Sequence, residues 1–324
     1  MASDSQTRDV YLFGCKTAST HSAPAEVVGN KAANLIRMAQ AGLPVPPGFV
    51  LPTIHCRGYL ERGQCLSDAT RDLLRQGIRE VEQATGLTFG GDRRPLLVAV
   101  RSGAPVSMPG MLDTVLNIGL CERTLPALLR MTGNPRHAWD SYRRLIETYA
   151  EVVLGQPIAP FEQILEQHLR REAVGSVAEL DVAALRRVVQ EFLAHCGSLT
   201  SGPFPEDPAT QLAGAVEAVF RSWQSPRAIE YRRLHRLDGR AGTAVTVQAM
   251  VFGNMGSTSG SGVGFTRDPA TGANELYLDF LANAQGEDVV SGRCAVLGRV
   301  GLKESHAGLY RELRQIKHRL ERLF

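Results

Sequence analysis

Three groups of residues in this sequence have the types and spacing to hold a polyvalent anion. The first is Val251–Pro269, VFGNMGSTSGSGVGFTRDP, in which Gly253, Gly256, Gly260, Gly262 and Gly264 are interleaved with Ser257, Thr258, Ser259 and Ser261. Glycine leaves backbone N–H groups unshielded by a Cβ and the hydroxyls add donors, which is what a polyphosphate requires. The same composition also suits a mobile surface hairpin with no ligand. The second is Lys31, in the first turn of a predicted helix, where a cation works against the macrodipole unless it has an anionic partner; a solvated surface lysine is the alternative. The third is Arg101, which emerges with Ser102 and Gly103 from the apolar run Leu96–Val100 and is either a ligand-binding cation or a salt-bridged exit from the core. No GxxxxGKS or GxxxxGKT sequence occurs, so a P-loop is excluded.

The elements that must position these residues are legible from periodicity. Ala32, Leu35, Ile36 and Ala39 recur at helical spacing between Gly29 and Gly42, and Pro44, Pro46 and Pro47 follow. Leu96–Val100 is a continuous apolar run of strand length, predicted to be buried on both faces and to carry Arg101 at its C-terminal end, where α/β folds place ligands. Between Thr243 and Phe252 the alternation of Val245, Val247, Ala249 and Val251 with Thr246 and Gln248 predicts a half-buried strand. Val263–Arg267 is expected to run back against it, leaving the glycines mostly at a flexible hairpin tip. Val10–Phe13 and Glu275–Leu281 are further predicted strands, and Thr70–Ala84 and Gln211–Trp223 further helices. From Leu125 to about His195 the pattern is helical throughout, with Trp139, Arg143, Ile146, Ala150 and Val153 on one stripe and Leu185, Val188, Val189 and Phe192 on another. A last helix is predicted over Ser305–Phe324, with Leu309, Leu313, Ile316, Leu320 and Leu323 on its apolar side.

The 324 residues suffice for two subdomains and a substantial core, and 44% hydrophobic with 21% charged residues is ordinary for a globular protein. Thirty-six basic against 33 acidic residues leave a net charge of +3, too balanced to favour nucleic acid or an anionic membrane surface. A small-molecule ligand is expected instead. Six cysteines without CxxC or Cys/His ligand spacing, and no apolar run of about 20 residues, lead to the expectation of reduced thiols in a cytoplasmic protein. The basic residues are almost all arginine; lysine occurs only at 16, 31, 303 and 317, which singles those positions out.

Four stretches together resemble one family, the N-terminal nucleotide-binding domain of the pyruvate, phosphate dikinases, an ATP-grasp fold. They are VVGNKAANLIRM with AGLPVPPGF; LLVAVRSGAPVSMPGMLDTVLNIGL; DSYRRLIETYAEVVLG; and GTAVTVQAMVFGNMGSTSGSGVGFTRDPATG with LANAQGEDVVSG. They follow the family's order and cover most of the chain, and SGAPVSMPGMLDT is closer to the dikinases than to phosphoenolpyruvate synthase or the rifampin phosphotransferases. The resemblance implies an α+β, ATP-grasp architecture with an all-helical insertion. It implies a first lobe over residues 1–120, the insertion over 121–200, and a second lobe over 201–324 that carries the glycine-rich hairpin and ends before the family's last strand.

The resemblance also implies roles. Lys31, Arg101 and Arg144 of SYRR would contact ATP phosphates, and Gly256, Ser257, Thr258, Ser259 and Gly260 of the hairpin would close over them. Gln248, Met250 and Val251 would lie near the adenine. Glu287 of QGED would be a Mg²⁺ ligand together with Asp279, which stands where the family more usually has Glu. The implied activity is transfer of the β,γ-phosphates of ATP to a histidine on a mobile domain. The implied partners are that phosphohistidine domain and a pyruvate-binding domain, for neither of which this sequence has a matching segment. His21 in STHSAP is only faintly similar to the family's TSHA motif and is read as unrelated. On this reading the isolated chain is expected to bind nucleotide weakly and to form no phosphoenolpyruvate. The rival readings are a non-catalytic nucleotide-binding or regulatory short paralogue, the nucleotide domain of a related phosphoenolpyruvate synthase, and a stand-alone phosphotransferase acting on a small acceptor.

Overall fold

The computed structural model describes residues 9–16, 23–108, 110–199, 202–290 and 297–324. The chain divides into two compact units, Met1–Met250 and Val251–Phe324.

The first unit is built on a five-stranded sheet. Its members are β1 (Tyr11–Phe13), β2 (Gly48–Leu51), β5 (Val98–Gly103), β6 (Thr114–Ile118) and β7 (Ala244–Ala249), in the order β1-β2-β7-β5-β6. Two short strands, β3 (Thr88–Phe89) and β4 (Pro95–Leu96), pair in parallel beside it. Every pairing within the five-stranded sheet is antiparallel. The rule that parallel α/β sheets put ligands at their strand ends therefore does not explain where Arg101 lies; the local packing described below does. β2 and β7 are buried along their whole length because helices cover both faces of the sheet centre, which is why the polar Thr246 and Gln248 are buried along with the valines.

The helices follow the predicted periodicity closely. After α1 (Ala25–Val28), α2 (Asn30–Gln40) turns Ala32 and Ile36 onto Tyr11, Phe13 and Val50, with Leu35 and Ala39 at the edge of the same cluster. α3 (Thr53–Glu61) and α4 (Asp68–Thr85) come next; α4 is capped by the Ser67 hydroxyl, which accepts from the Thr70 N–H at 3.2 Å, and is closed by left-handed Gly86. The helical stretch is α5 (Leu125–Thr132), α6 (Pro135–Val152), α7 (Ala159–Arg171) and α8 (Val182–Leu199). Leu185, Val188, Val189 and Phe192 of α8 are all buried, and Phe192 meets Phe161 edge-on at 5.0 Å. α9 (Pro208–Ser222) and α10 (Pro226–Leu234) lead back to β7.

The second unit is a three-stranded antiparallel sheet, β8 (Gly260–Phe265), β9 (Tyr277–Ala282) and β10 (Leu297–Gly298), with α11 (Gly286–Val290), α12 (Arg299–Ser305) and α13 (Ala307–Leu323). Leu278 and Phe280 of β9 pack with Leu302, Tyr310 and Leu313. The predicted final helix is observed as α13, but its stripe is less buried than its pattern suggests. Leu309 is exposed, whereas Lys317 is buried with its ammonium donating to the Asn274 carbonyl at 3.1 Å.

One expectation is corrected. β7 and β8 do not form a hairpin: β7 is sandwiched between β2 and β5 in the first unit, and β8 pairs with β9 in the second. Gly260, Gly262 and Gly264 thus lie inside a strand rather than at a turn. The physical reason is close approach. A Cβ at Gly260 would fall 2.3 Å from Cζ of Phe280, so the phenyl ring occupies the space a side chain would need. Among the described residues no helix is long and apolar enough to cross a membrane.

Candidate functional site

Lys31 and Arg101 are brought together by a backbone contact. Val98, Ala99 and Val100 are buried, and β5 then delivers the half-buried Arg101 and Ser102 before ending at Gly103. Gly29, between α1 and α2, has φ 80° and lies against that end; a Cβ there would sit 2.3 Å from the Gly103 carbonyl oxygen. Only glycine permits both the left-handed backbone and the approach. The Asn30 N–H then donates to the Ala104 carbonyl at 3.1 Å, and the Gly103 N–H to the Thr243 hydroxyl at 3.2 Å. The first turn of α2 is thereby pinned to the end of β5, with Lys31 in that turn.

The electrostatics of this edge are one-sided. Burial lowers the Lys31 pKa from its ordinary value, and the Arg101 guanidinium lowers it further, although the lysine side chain still reaches solvent. Lys31 has no hydrogen-bond or ion-pair partner among the described residues. Arg101 donates through Nη1 to Oε1 of Gln248 at 3.4 Å, and the Gln248 amide donates through Nε2 to the Pro46 carbonyl at 3.1 Å. Gln248 is a buried strut that braces Arg101 without neutralising it. A cavity of about 450 Å³ opens at Lys31, lined also by Asn30, Ser102, Ser107 and Thr114, and no carboxylate is among its lining residues. Lys31, hydroxyls and a helix N-terminus line this cavity with no carboxylate among the described residues, and Arg101 precedes the lining Ser102 in β5, an arrangement suited to an anion.

The other expected residues are placed as follows. Met250 extends the β7–β5 pairing, its N–H donating to the Leu97 carbonyl at 3.0 Å, and its thioether accepts from the Asn117 N–H at 3.0 Å. Val251 opens the second unit and is 76% exposed. Gly256, Ser257, Thr258 and Ser259 form a turn ahead of β8. The N–H and hydroxyl of Ser259 both donate to the Gly256 carbonyl, at 3.0 and 2.8 Å, while Ser257 and Thr258 are exposed. Asp279 lies in mid-β9 between Val263 and Gly298, and its neighbours Leu278 and Phe280 point into the core. Glu287 belongs to α11, but its side chain lies outside the described ones, as does His21. Among the described residues no group of three or more His, Cys, Asp or Glu side chains is arranged to hold a metal. Asp279 alone does not make a Mg²⁺ site.

Arg144 stands in a different environment. On α6, Asp140 is only 4% exposed and divides its carboxylate: Oδ1 accepts from Nε of Arg143 and Oδ2 from Nε of Arg144, each at 3.0 Å. Arg143 also donates to Glu147 at 2.5 Å. Burial works to raise the Asp140 pKa, but the two guanidiniums outweigh it and hold the carboxyl below its usual range. Asp140, which orients both arginines, is not singled out by the sequence reading. Its signal was the spacing in DSYRR, because carboxylate and guanidinium three and four positions apart share a helix face.

Residues 66–297 match the family described as "Pyruvate phosphate dikinase, AMP/ATP-binding domain". The chain is similar to the pyruvate, phosphate dikinase of Rhizobium meliloti (strain 1021), with 48% identity over 283 residues, 87% of this chain and 32% of that protein. It is 42% identical to the Clostridium symbiosum enzyme over 316 residues, 97% and 36% of the two chains. Against the Entamoeba histolytica enzyme it is 40% identical over 303 residues, 92% and 34%. The chain thus spans about a third of the length of the curated relatives it matches.

Proposed function

Because the chain belongs to the AMP/ATP-binding domain family of the pyruvate, phosphate dikinases, we propose that the Lys31–Arg101 edge is where it receives the phosphates of ATP. The observation that carries this reading is the placement of Lys31: its pKa is lowered by burial and then by its neighbour Arg101, and it lines a cavity with no carboxylate among its described lining residues. A phosphate oxyanion relieves that repulsion, favours the charged form of Lys31 and accepts from the guanidinium that Gln248 braces. Catalysis at such an edge is electrostatic, because the cations stabilise negative charge on the transferred group and need not change protonation state during transfer.

The finer assignments extend the proposal. Arg144 adds a third phosphate contact from α6, and Met250 and Gln248 border the base. In the second unit, the turn Gly256–Gly260 offers backbone donors suited to phosphate. The two lobes and the helical insertion are those of an ATP-grasp fold. Asp279 and Glu287 of the second unit would hold Mg²⁺, which would supply the counter-charge to the nucleotide's phosphates. The β,γ-phosphates pass to a histidine carried on another domain.

Calorimetry with MgATP tests the reading. Lys31→Ala and Arg101→Ala are each expected to weaken binding roughly tenfold to a hundredfold, the loss of one charge-assisted contact, about 1.5–3 kcal/mol. Adding the histidine domain of a full-length relative with labelled ATP then tests transfer. Unchanged affinity in both variants together with undiminished labelling would sink the assignment.

A further inference from the structure

We propose that the second unit carries a separate binding site for a polyvalent, phosphate-bearing anion, in the concavity between α12 and α13 that Lys303, Arg311, Arg314 and His318 line. The concavity measures about 360 Å³, and its other walls are Ala307, Tyr310 and Gln315. No carboxylate is among its described lining residues. On α13 the lining positions 307, 311, 314 and 318 recur every three or four residues, so they form one face of the helix. Lys303 is added from the last turn of α12. All of these residues lie in the second unit, so the inference does not depend on the Lys31–Arg101 reading.

Some exposed arginines are matched by nearby acids, as in Arg170–Glu166 at 2.7 Å, Arg233–Glu230 at 2.6 Å and Arg267–Glu321 at 2.7 Å. Lys303, Arg311 and Arg314 have no such partner among the described residues. Helical spacing explains why: Arg311 is followed four residues on by Gln315 and Arg314 by His318, and Arg311 and Arg314 are themselves three apart. Glu312 has Gly308, Leu309, Gln315 and Ile316 at the helical-neighbour positions, and Glu321, further along α13, pairs with Arg267. A helix face that sets like charges at i and i+3 loses stability in isolation, and an anion seated between them recovers it. Lys303 is, moreover, one of only four lysines in an arginine-rich chain. Two planar guanidinium forks and an ammonium match the oxygens of a phosphoryl group. Tyr310 and Ala307 offer an apolar wall to whatever the phosphate is attached to.

Titration calorimetry of the 324-residue protein with tripolyphosphate, without Mg²⁺, tests this against an Arg311→Gln/Arg314→Gln variant and a Lys31→Gln variant. Positions 311 and 314 are exposed, so the double variant should fold, which circular dichroism verifies. The wild type is expected to take up two equivalents. The double variant should lose one, with binding there weakened roughly tenfold or more, and keep the one that Lys31→Gln removes. A single equivalent that only Arg311→Gln/Arg314→Gln removes would uphold this site and sink the Lys31 reading. A single equivalent that only Lys31→Gln removes would overturn it. Binding of a glutamate-rich peptide as tightly as tripolyphosphate would also overturn it, by making the face a docking surface for acidic protein. AMP binding more tightly than inorganic phosphate supports a phosphate ester as ligand, and the reverse order supports free phosphate or polyphosphate.

Discussion

Two pairs of cations in the first unit are built in opposite ways. Arg143 and Arg144 share the carboxylate of Asp140, and Glu147 takes a further bond from Arg143, so positive charge is matched by negative charge within one helix. Lys31 and Arg101 meet across two elements; the hydrogen bond shown for Arg101 goes to a neutral amide, and the cavity beside Lys31 has no acidic lining. The consequence is visible in the titrating groups. Asp140 is held low by its neighbours' attraction, whereas Lys31 is lowered by burial and by its neighbour's repulsion. A matched cation is part of the architecture. Lys31, with no hydrogen-bond or ion-pair partner among the described residues, carries a repulsion from its neighbour that an anion would relieve.

The largest expected effect is on the matched side. Asp140→Ala leaves two guanidiniums without their shared carboxylate, one of them buried, and should cost about 3–5 kcal/mol of unfolding free energy in urea titrations. A loss below about 1 kcal/mol would break the contrast between the two pairs. Lys31→Ala should do the reverse, lowering ATP affinity as stated above while moving stability by no more than about 0.5 kcal/mol.

Stability against pH separates the pairs next. Asp140 has a folded pKa below its unfolded value, so its contribution is fully present above the unfolded value of about 3.9 and is lost as pH falls through the folded pKa. Asp140→Asn should therefore lose least relative to wild type in strong acid. Lys31 also has a depressed folded pKa, but as a base, so its protonation opposes folding below that pKa and the penalty vanishes as pH rises past about 10.4. Lys31→Met should be at least as stable as wild type at neutral pH and converge with it in alkali, and ATP should raise the Lys31 pKa in an NMR titration. A Lys31 pKa that ATP leaves in place would remove the anion from this edge.

The smallest expected effect decides to which pair Arg144 belongs. Arg144→Lys keeps the charge but loses the planar fork, and is expected to cost about 1 kcal/mol of stability with a several-fold loss of ATP affinity. Lost stability with full ATP affinity would assign Arg144 to the clamp alone.

Much of this molecule was legible from local pattern. The 3.6-residue periodicity located α2 and α4 to within a few residues and picked out the buried stripe of α8, because the apolar face of a helix is set by neighbours in sequence. Lys31 and Arg101 were singled out by type and position before either had a neighbour, and the DSYRR spacing contained the Asp140 clamp although its meaning was overlooked. What only the tertiary structure decided was pairing. The Val251–Pro269 glycines suggested a turn because glycine is permissive, but the ring of Phe280 is what excludes a side chain at Gly260, and no rule of local spacing joins β8 to β9 rather than to β7. The repulsion between Lys31 and Arg101 was equally hidden. It exists because Gly29 lets the backbone of one element touch Gly103 of another, and the charge on a residue type is local whereas the field it feels is set by whatever the fold places beside it.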